Sequence, residues 1–438
     1  MSQASGITRR SFVKGITAAV AAPAIVPASA LGRDETVAPS NRIALGMIGT
    51  GDHGVNRNLK RFLQELDAQI VAVCDVDAQR REDARKLVEE HYAKEKTSGT
   101  YKGCASYNDF REIIARDDID AVMNATPDHW HVIPSLMAVR AGKDVMCEKP
   151  LTLTVVEGRV LADAVKKHNR IFQTASENRS YENYYRMVEL VRNGRIGRLT
   201  HVKVTLPRGH SIRQASFDFA PPPKGFDYDM WLGQAPYRPY CEARIHWNFR
   251  WILDYSGGQL TDWGAHLIDI AQWANDTEHT GPIEVEGKGV FPLNALFNTA
   301  TDYSIDYKYA NGVTMNVSGQ QPGIRFEGTD GWIGNNGWNA NIEAEPATIL
   351  DSKIGDNEIH AYKEPAGEQR NFLDCVKSRK PCYAPAETGH RTVTIAHIGN
   401  ISMMLGRRLR WDPDKERFLD DDEANKMLRR PMREPWGL

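Results

Sequence analysis

The chain of 438 residues balances 55 basic against 57 acidic side chains, with 41% hydrophobic and 26% charged residues. That length exceeds one ordinary core and predicts two domains with a cleft between them. The near cancellation of charge excludes a chain-wide electrostatic footprint for nucleic acid, and the composition excludes disordered and fibrous classes.

The first segment, Thr8-Arg9-Arg10-Ser11-Phe12-Val13-Lys14, leads into an Ala-rich apolar stretch that closes on Ala28-Ser29-Ala30. This is the layout of a cleaved twin-arginine signal peptide over 1–30. Pro23 and Pro27 interrupt the run, and it falls short of the roughly 20 residues that a membrane span needs. The expectation is export to a bacterial periplasm by the twin-arginine machinery, with no membrane anchor after cleavage. Residues 31–41 are polar, contain Pro39 and read as a linker.

Over 42–176, apolar runs at 43–48, 70–74, 121–125, 145–147 and 171–174 alternate with helical patterns at 56–65, 78–91, 132–141 and 155–168. The alternation predicts an α/β fold with a doubly wound parallel sheet of the Rossmann type, covered on both faces. The stretch 94–102 reads as an exposed loop. Gly49-Thr50-Gly51-Asp52-His53-Gly54 fits G-x-G-x-x-G and stands between the first strand and a helix. Gly49 permits the tight turn, Gly51 admits a pyrophosphate to the backbone, and Gly54 allows close helix packing; Thr50, Asp52 and His53 complete the turn. Asp75 ends the next strand, where a carboxylate hydrogen-bonds adenosine ribose hydroxyls. Asp77 beside it repels a further phosphate, so NAD is expected and NADP is less favoured. Glu148-Lys149-Pro150 follows strand 145–147, which puts Lys149 where open parallel sheets bind ligands. From spacing alone, a plain surface lysine is an equal reading.

Beyond about residue 180 the pattern changes. A helix at 184–193 precedes strand patterns at 199–206, 284–291, 303–309, 313–317 and 324–328, with Asn311-Gly312 as a hairpin turn. These predict an α+β domain over 177–365 with a large, mainly antiparallel, open-faced sheet. A helix over 262–273 carries Asp262 and His266 four residues apart on one face, where the carboxylate raises the imidazole pKa. A helix-capping Asp and a packed His are the plainer reading of that spacing. Helices at 368–379 and 388–407 and a charged tail from Asp412 form a segment, 366–438, expected to pack back on the core. Six scattered cysteines read as buried small hydrophobes, and His129 and His131 lack a zinc-like ligand set, so no metal is expected.

These motifs together resemble the glucose-fructose oxidoreductase, inositol dehydrogenase and rhizopine catabolism (Gfo/Idh/MocA) family over nearly the whole mature chain. The resemblance is carried by the Gly49 to Gly54 turn, Ala125-Thr126-Pro127-Asp128-His129, Ala141-Gly142-Lys143 leading into Glu148-Lys149-Pro150, and Gly257-Gly258 leading into Asp262-x-Gly264-x-His266. It implies a catalytic triad of Lys149, Asp262 and His266; hydride transfer needs a base for the alcohol proton, a role expected of His266, with Lys149 stabilising the alkoxide and Asp262 orienting one or both. It also implies a cofactor site that includes Thr126, Pro127, His129 and Glu148, and a tightly bound nicotinamide exchanging hydride with a sugar, cyclitol or glycoside. Trp130, Arg179, Tyr181, Trp247 and Arg250 are the candidates for substrate contact, the aromatics by stacking on sugar rings and the arginines by hydrogen bonding. A homo-oligomer built through the open sheet is expected. Two alternatives stand beside this reading. One is an NAD-dependent glycosidase working by oxidation, elimination and reduction, whose His- and Gly-rich loop has no match near 255–262. The other is a non-catalytic sugar-binding protein with structural NAD.

Overall fold

The structure, a computed structural model, describes residues 37–38, 41–211 and 217–438. The signal segment and most of the linker lie outside the described residues.

Six strands form the first sheet in the order β3-β2-β1-β4-β5-β6. β1 (Ile43–Ile48) pairs in parallel with β2 (Ala68–Cys74) on one side and β4 (Ala121–Asn124) on the other. β3 (Ala105–Tyr107) extends the first side; β5 (Asp144–Cys147) and β6 (Phe172–Thr174) extend the second, all in parallel. Leu45, Met47, Val122, Met123, Val145 and Met146 are wholly buried, as strands covered on both faces must be. The strand order reverses between β1 and β4, and such a switch point opens a crevice at the carboxyl ends.

Helices α1 (Ala78–His91), α2 (Val132–Arg140) and α3 (Val155–His168) cover this sheet. α1 and α3 keep the limits expected of them because side chains fix their starts. Asp77 accepts from the Gln79 and Arg80 amides, and Thr154 with Glu157 forms a capping box. The expected loop at 94–102 instead opens with a helical turn, Ala93–Thr97. The segment after the glycine turn is π-helical over Gly54–Leu59 before its last turn, Lys60–Phe62.

The second sheet has nine strands, β13-β12-β11-β7-β10-β9-β8-β14-β15. In chain order they are β7 (Leu199–Leu206), β8 (Pro282–Val290), β9 (Asp302–Tyr309), β10 (Thr314–Gly319), β11 (Gly323–Gly328), β12 (Trp332–Asn335), β13 (Glu343–Glu345), β14 (Leu409–Asp412) and β15 (Arg417–Phe418). β7 and β10 run parallel; the other neighbouring pairs are antiparallel. α4 (Glu182–Arg192), α5 (Gly264–Ala274) and α7 (Ala386–Leu405) share a core with one face of it. β9 shows why the other face stays open: Tyr303, Ile305, Tyr307 and Tyr309 are buried, while Asp302, Ser304, Asp306 and Lys308 are exposed. The free face is therefore polar along this strand.

α6 (Glu368–Ser378) places Phe372 and Leu373 in the core of the first sheet, with Phe372 edge-on to Phe62 at 6.4 Å. The charged tail is structured. Trp411, Phe418 and Leu428 are buried, and Trp436 packs against Trp130 at 4.8 Å and Phe110 at 6.2 Å.

Candidate active site

The glycine turn is shaped by close backbone approach. Gly49 has φ +88°, and a Cβ there would lie 2.5 Å from the Ala125 carbonyl oxygen; one on Gly54 would lie 2.3 Å from the Gly49 carbonyl oxygen. Gly51 is open apart from Arg80 Nη1, 3.0 Å from where its Cβ would be. Tight at Gly49 and Gly54 and open at Gly51, with a helix starting behind it, the turn fits a pyrophosphate. Asp75 stands beside it. Its carboxylate accepts from the Thr50 amide at 2.7 Å, the Thr50 hydroxyl at 3.2 Å and the Asp77 amide at 2.9 Å. A carboxylate has about four acceptor positions, so capacity for a ribose hydroxyl remains. Asp77 is engaged as the cap of α1, and Arg80, which sequence reasoning did not single out, lines the same end of the cleft.

The cleft encloses about 400 Å³ and is roofed by residues 226–250 of the excursion that follows β7. That excursion is clamped to the first sheet. The Ala78 amide donates to Gly225 O at 2.9 Å, the Asp227 amide to Val76 O at 2.9 Å, and Asn108 Nδ2 to Asp227 Oδ2 at 2.8 Å. It contributes Phe226, Trp231, Trp247 and Arg250 to the cleft lining, with the Arg250 guanidinium 4.3 Å from the Trp247 ring centre.

At the other end, Lys149 Nζ donates to Asp262 Oδ1 at 2.6 Å, and Arg250 Nε lies 3.7 Å from the same oxygen. Burial alone would raise the Asp262 carboxyl; the Lys149 ammonium and the Arg250 guanidinium outweigh it and hold the group below the usual carboxylate range. Glu148 accepts from Asn58 Nδ2 at 2.8 Å and meets His53 Nε2 at 2.9 Å, which raises the His53 pKa against the opposing effect of burial. His266 behaves opposite to expectation. Burial and the nearby Lys149 ammonium push its pKa well down, and the Asp262 charge only partly opposes them. The imidazole is therefore neutral at neutral pH, as a proton acceptor must be.

Asp128 is a residue that sequence spacing gave no reason to select. It is buried in the cleft wall, accepts from Ser256 Oγ at 2.5 Å, and burial pushes its carboxyl up to about 7, with Arg250 acting against that.

Not every expected contact is at the cleft. Arg179 is wholly buried: it forks onto Asp269 at 2.7 and 2.8 Å, reaches Glu278 and the Tyr383 carbonyl at 2.7 Å each, and lies over Trp273. It is a core ion pair and does not contact substrate. His129 sits behind the cleft wall, with Nε2 2.9 Å from Trp231 O, and does not line the cleft; burial lowers its pKa to about 3. Trp130 lines the cleft but is packed between Phe110 and Trp436, which makes it wall and leaves no open stacking face. Tyr181 lies off the dinucleotide cleft, donates to Glu177 Oε2 at 2.9 Å and stands 6.5 Å from Trp338, a ring the sequence did not flag.

Residues 43–176 match the oxidoreductase family's NAD-binding Rossmann fold, and residues 187–438 match the Gfo/Idh/MocA oxidoreductase family's C-terminal alpha/beta domain. The chain belongs to the Gfo/Idh/MocA family. As a member, it carries in its first sheet the family's NAD-binding Rossmann domain. The myo-inositol 2-dehydrogenase of Thermotoga maritima is 31% identical over 388 residues, 84% of this Gfo/Idh/MocA chain and 98% of that protein. Glycosyl hydrolase family 109 protein 2 of Shewanella sp. (strain ANA-3) is 31% identical over 212 residues, 45% of each chain, so this chain spans less than half the length of that relative. Among solved structures, the aldose-aldose oxidoreductase from Caulobacter crescentus complexed with glycerol is 17% identical, with 84% of this chain and 99% of that one covered at a TM-score of 0.60. The WlbA dehydrogenase from Bordetella pertussis in complex with NADH and UDP-GlcNAcA is 16% identical, with 85% and 99% covered at 0.59. These two likenesses are likenesses of fold.

Proposed function

We propose that this enzyme moves a hydride between tightly held NAD and a hydroxyl or keto carbon of a sugar, cyclitol or glycoside. The observation that carries the reading is the Lys149 to Asp262 pair, closed at 2.6 Å across the two halves of the chain beside the neutral His266. NAD, when bound, supplies the hydride acceptor. In the oxidative direction His266 takes the hydroxyl proton as the hydride leaves the same carbon, and a carbonyl forms. Lys149 holds the developing alkoxide, and the ionised Asp262 fixes Lys149 in place. Gly49, Gly51 and Gly54 would hold the pyrophosphate and Asp75 the ribose, and Thr126 and Pro127 would lie toward the nicotinamide. The relative named for myo-inositol supports a cyclic polyol as substrate class.

The chain acts, in this reading, in the bacterial periplasm after twin-arginine export, with NAD loaded beforehand. The clamp of Gly225 and Asp227 onto β2's end supports retention of the cofactor. Homo-oligomers would associate through polar contacts of the open sheet. The test is a panel of sugars, cyclitols and glycosides added to the NAD-loaded protein while nicotinamide absorbance is followed; silence across the panel sinks the proposal.

The buried Asp128, titrating at about 7 beside Arg250, favours a second reading. Elimination of an aglycone needs a second proton-holding group, and the relatives named glycosyl hydrolase family 109 point the same way. Release of nitrophenol from a nitrophenyl glycoside without net NADH would select it.

A further inference from the structure

Resting on the hydride-transfer reading and narrowing it, we propose that Trp338 is the platform on which a closed sugar or cyclitol ring stacks beside His266. The loop after β12 brings the Trp338 ring within 4.9 Å of the His266 imidazole at 80°, 5.0 Å of Trp263 at 73° and 6.5 Å of Tyr181 at 83°. Trp338 is thus the ring on which Tyr181, Trp263 and the proposed base His266 converge, from two other stretches of chain. Trp338, Trp263 and Tyr181 are each only partly buried, unlike the closed Trp130, so the cluster lies at the protein surface.

The loop is held in place from α4. Asn183 Nδ2 donates to the Ala340 carbonyl at 3.0 Å and the Asn339 carbonyl at 3.1 Å, and the Asn339 amide donates to Tyr184 Oη at 3.1 Å. A platform fixed in this way loses little freedom when a ligand arrives. A second observation points to a ligand. His266 is 6% exposed, yet its Nδ1 has no hydrogen-bond partner. Buried ring nitrogens are ordinarily paired, and a hydroxyl donated from a neighbouring substrate would pair this one. A molecule with an apolar C–H face and a hydroxyl rim meets both demands, which describes a pyranose or cyclitol and not an open-chain polyol.

The experiment compares the NAD-loaded parent with Trp338→Ala and Trp338→Phe, measuring binding of myo-inositol, glucose, methyl glucoside and sorbitol by calorimetry and turnover by nicotinamide absorbance. Trp338→Ala weakens the ring ligands about tenfold and leaves sorbitol and the NAD content unchanged, and Trp338→Phe recovers most of the loss. Unchanged ring binding in Trp338→Ala, an equal loss for sorbitol, or no ring bound by the parent overturns the platform. Ring binding that depends on Trp338 without any NADH formed leaves the platform standing and removes the hydride-transfer reading instead.

Discussion

Lys149 and Asp262, 113 positions apart in the sequence, meet at 2.6 Å with both side chains nearly closed to solvent. One leaves the carboxyl end of a parallel strand and the other the turn before α5, so the contact joins the NAD-binding half to the half that carries His266.

Replacing Lys149 by Met removes the cation and leaves the Asp262 carboxylate with Arg250 at 3.7 Å. Turnover of the true substrate falls by about a hundredfold or more. Stability drops by about 3 kcal/mol because a buried pair is broken from one side. Single-turnover kinetics and denaturant unfolding check the two parts, and NAD content stays near that of the parent.

The depressed pKa of His266 fixes the shape of the pH profile. The oxidative rate is flat through neutral pH and falls only on the acid side, where the imidazole protonates and cannot accept a proton. The unfolded chain binds that proton more readily, so stability also declines as pH drops below about 6.5. His266→Ala abolishes turnover, and a rate profile centred above neutrality in the parent would contradict the assignment.

Asp128 works with the opposite sign. Its carboxyl is raised to about 7 by burial, so its contribution to stability is full below the unfolded value of about 3.9 and is lost as pH rises through 7. Asp128→Asn flattens the dependence of Tm on pH across that window and gains on the parent at pH above it. Thermal scans at a series of pH values report the slope.

Arg179→Ala leaves Asp269 and Glu278 without their shared guanidinium in the core. The expected cost is about 3 to 5 kcal/mol with KM unaltered in the fraction that folds. A raised KM at parental stability would restore Arg179 to the substrate site.

The first sheet was legible because its signals are local. β1 is a continuous apolar run ended by a glycine turn, and α1 and α3 carry their own caps in Asp77 and Thr154. β3 and β13 escaped because three residues such as Ala105–Tyr107 or Glu343–Glu345 hold no periodicity to detect. Asp262 and His266 were expected on one helix, but the chain breaks at Trp263 and restarts at Gly264. Their environment was misjudged for a different reason: the effect of Asp262 on the imidazole depends on burial and on Lys149, and neither is visible in a four-residue spacing. Arg179 looked available because its partners lie 90 and 99 positions away, and Trp338 looked idle because nothing in Asn335-Asn336-Gly337-Trp338-Asn339 announces a neighbour at His266.

The edge-to-face contact of Trp436 with Trp130 makes the last stretch of the chain a buttress of the cofactor cleft. Trimming before Trp436, or crowding it with a bulky purification handle, would loosen the wall from behind and be felt first as leakage of dinucleotide during chromatography.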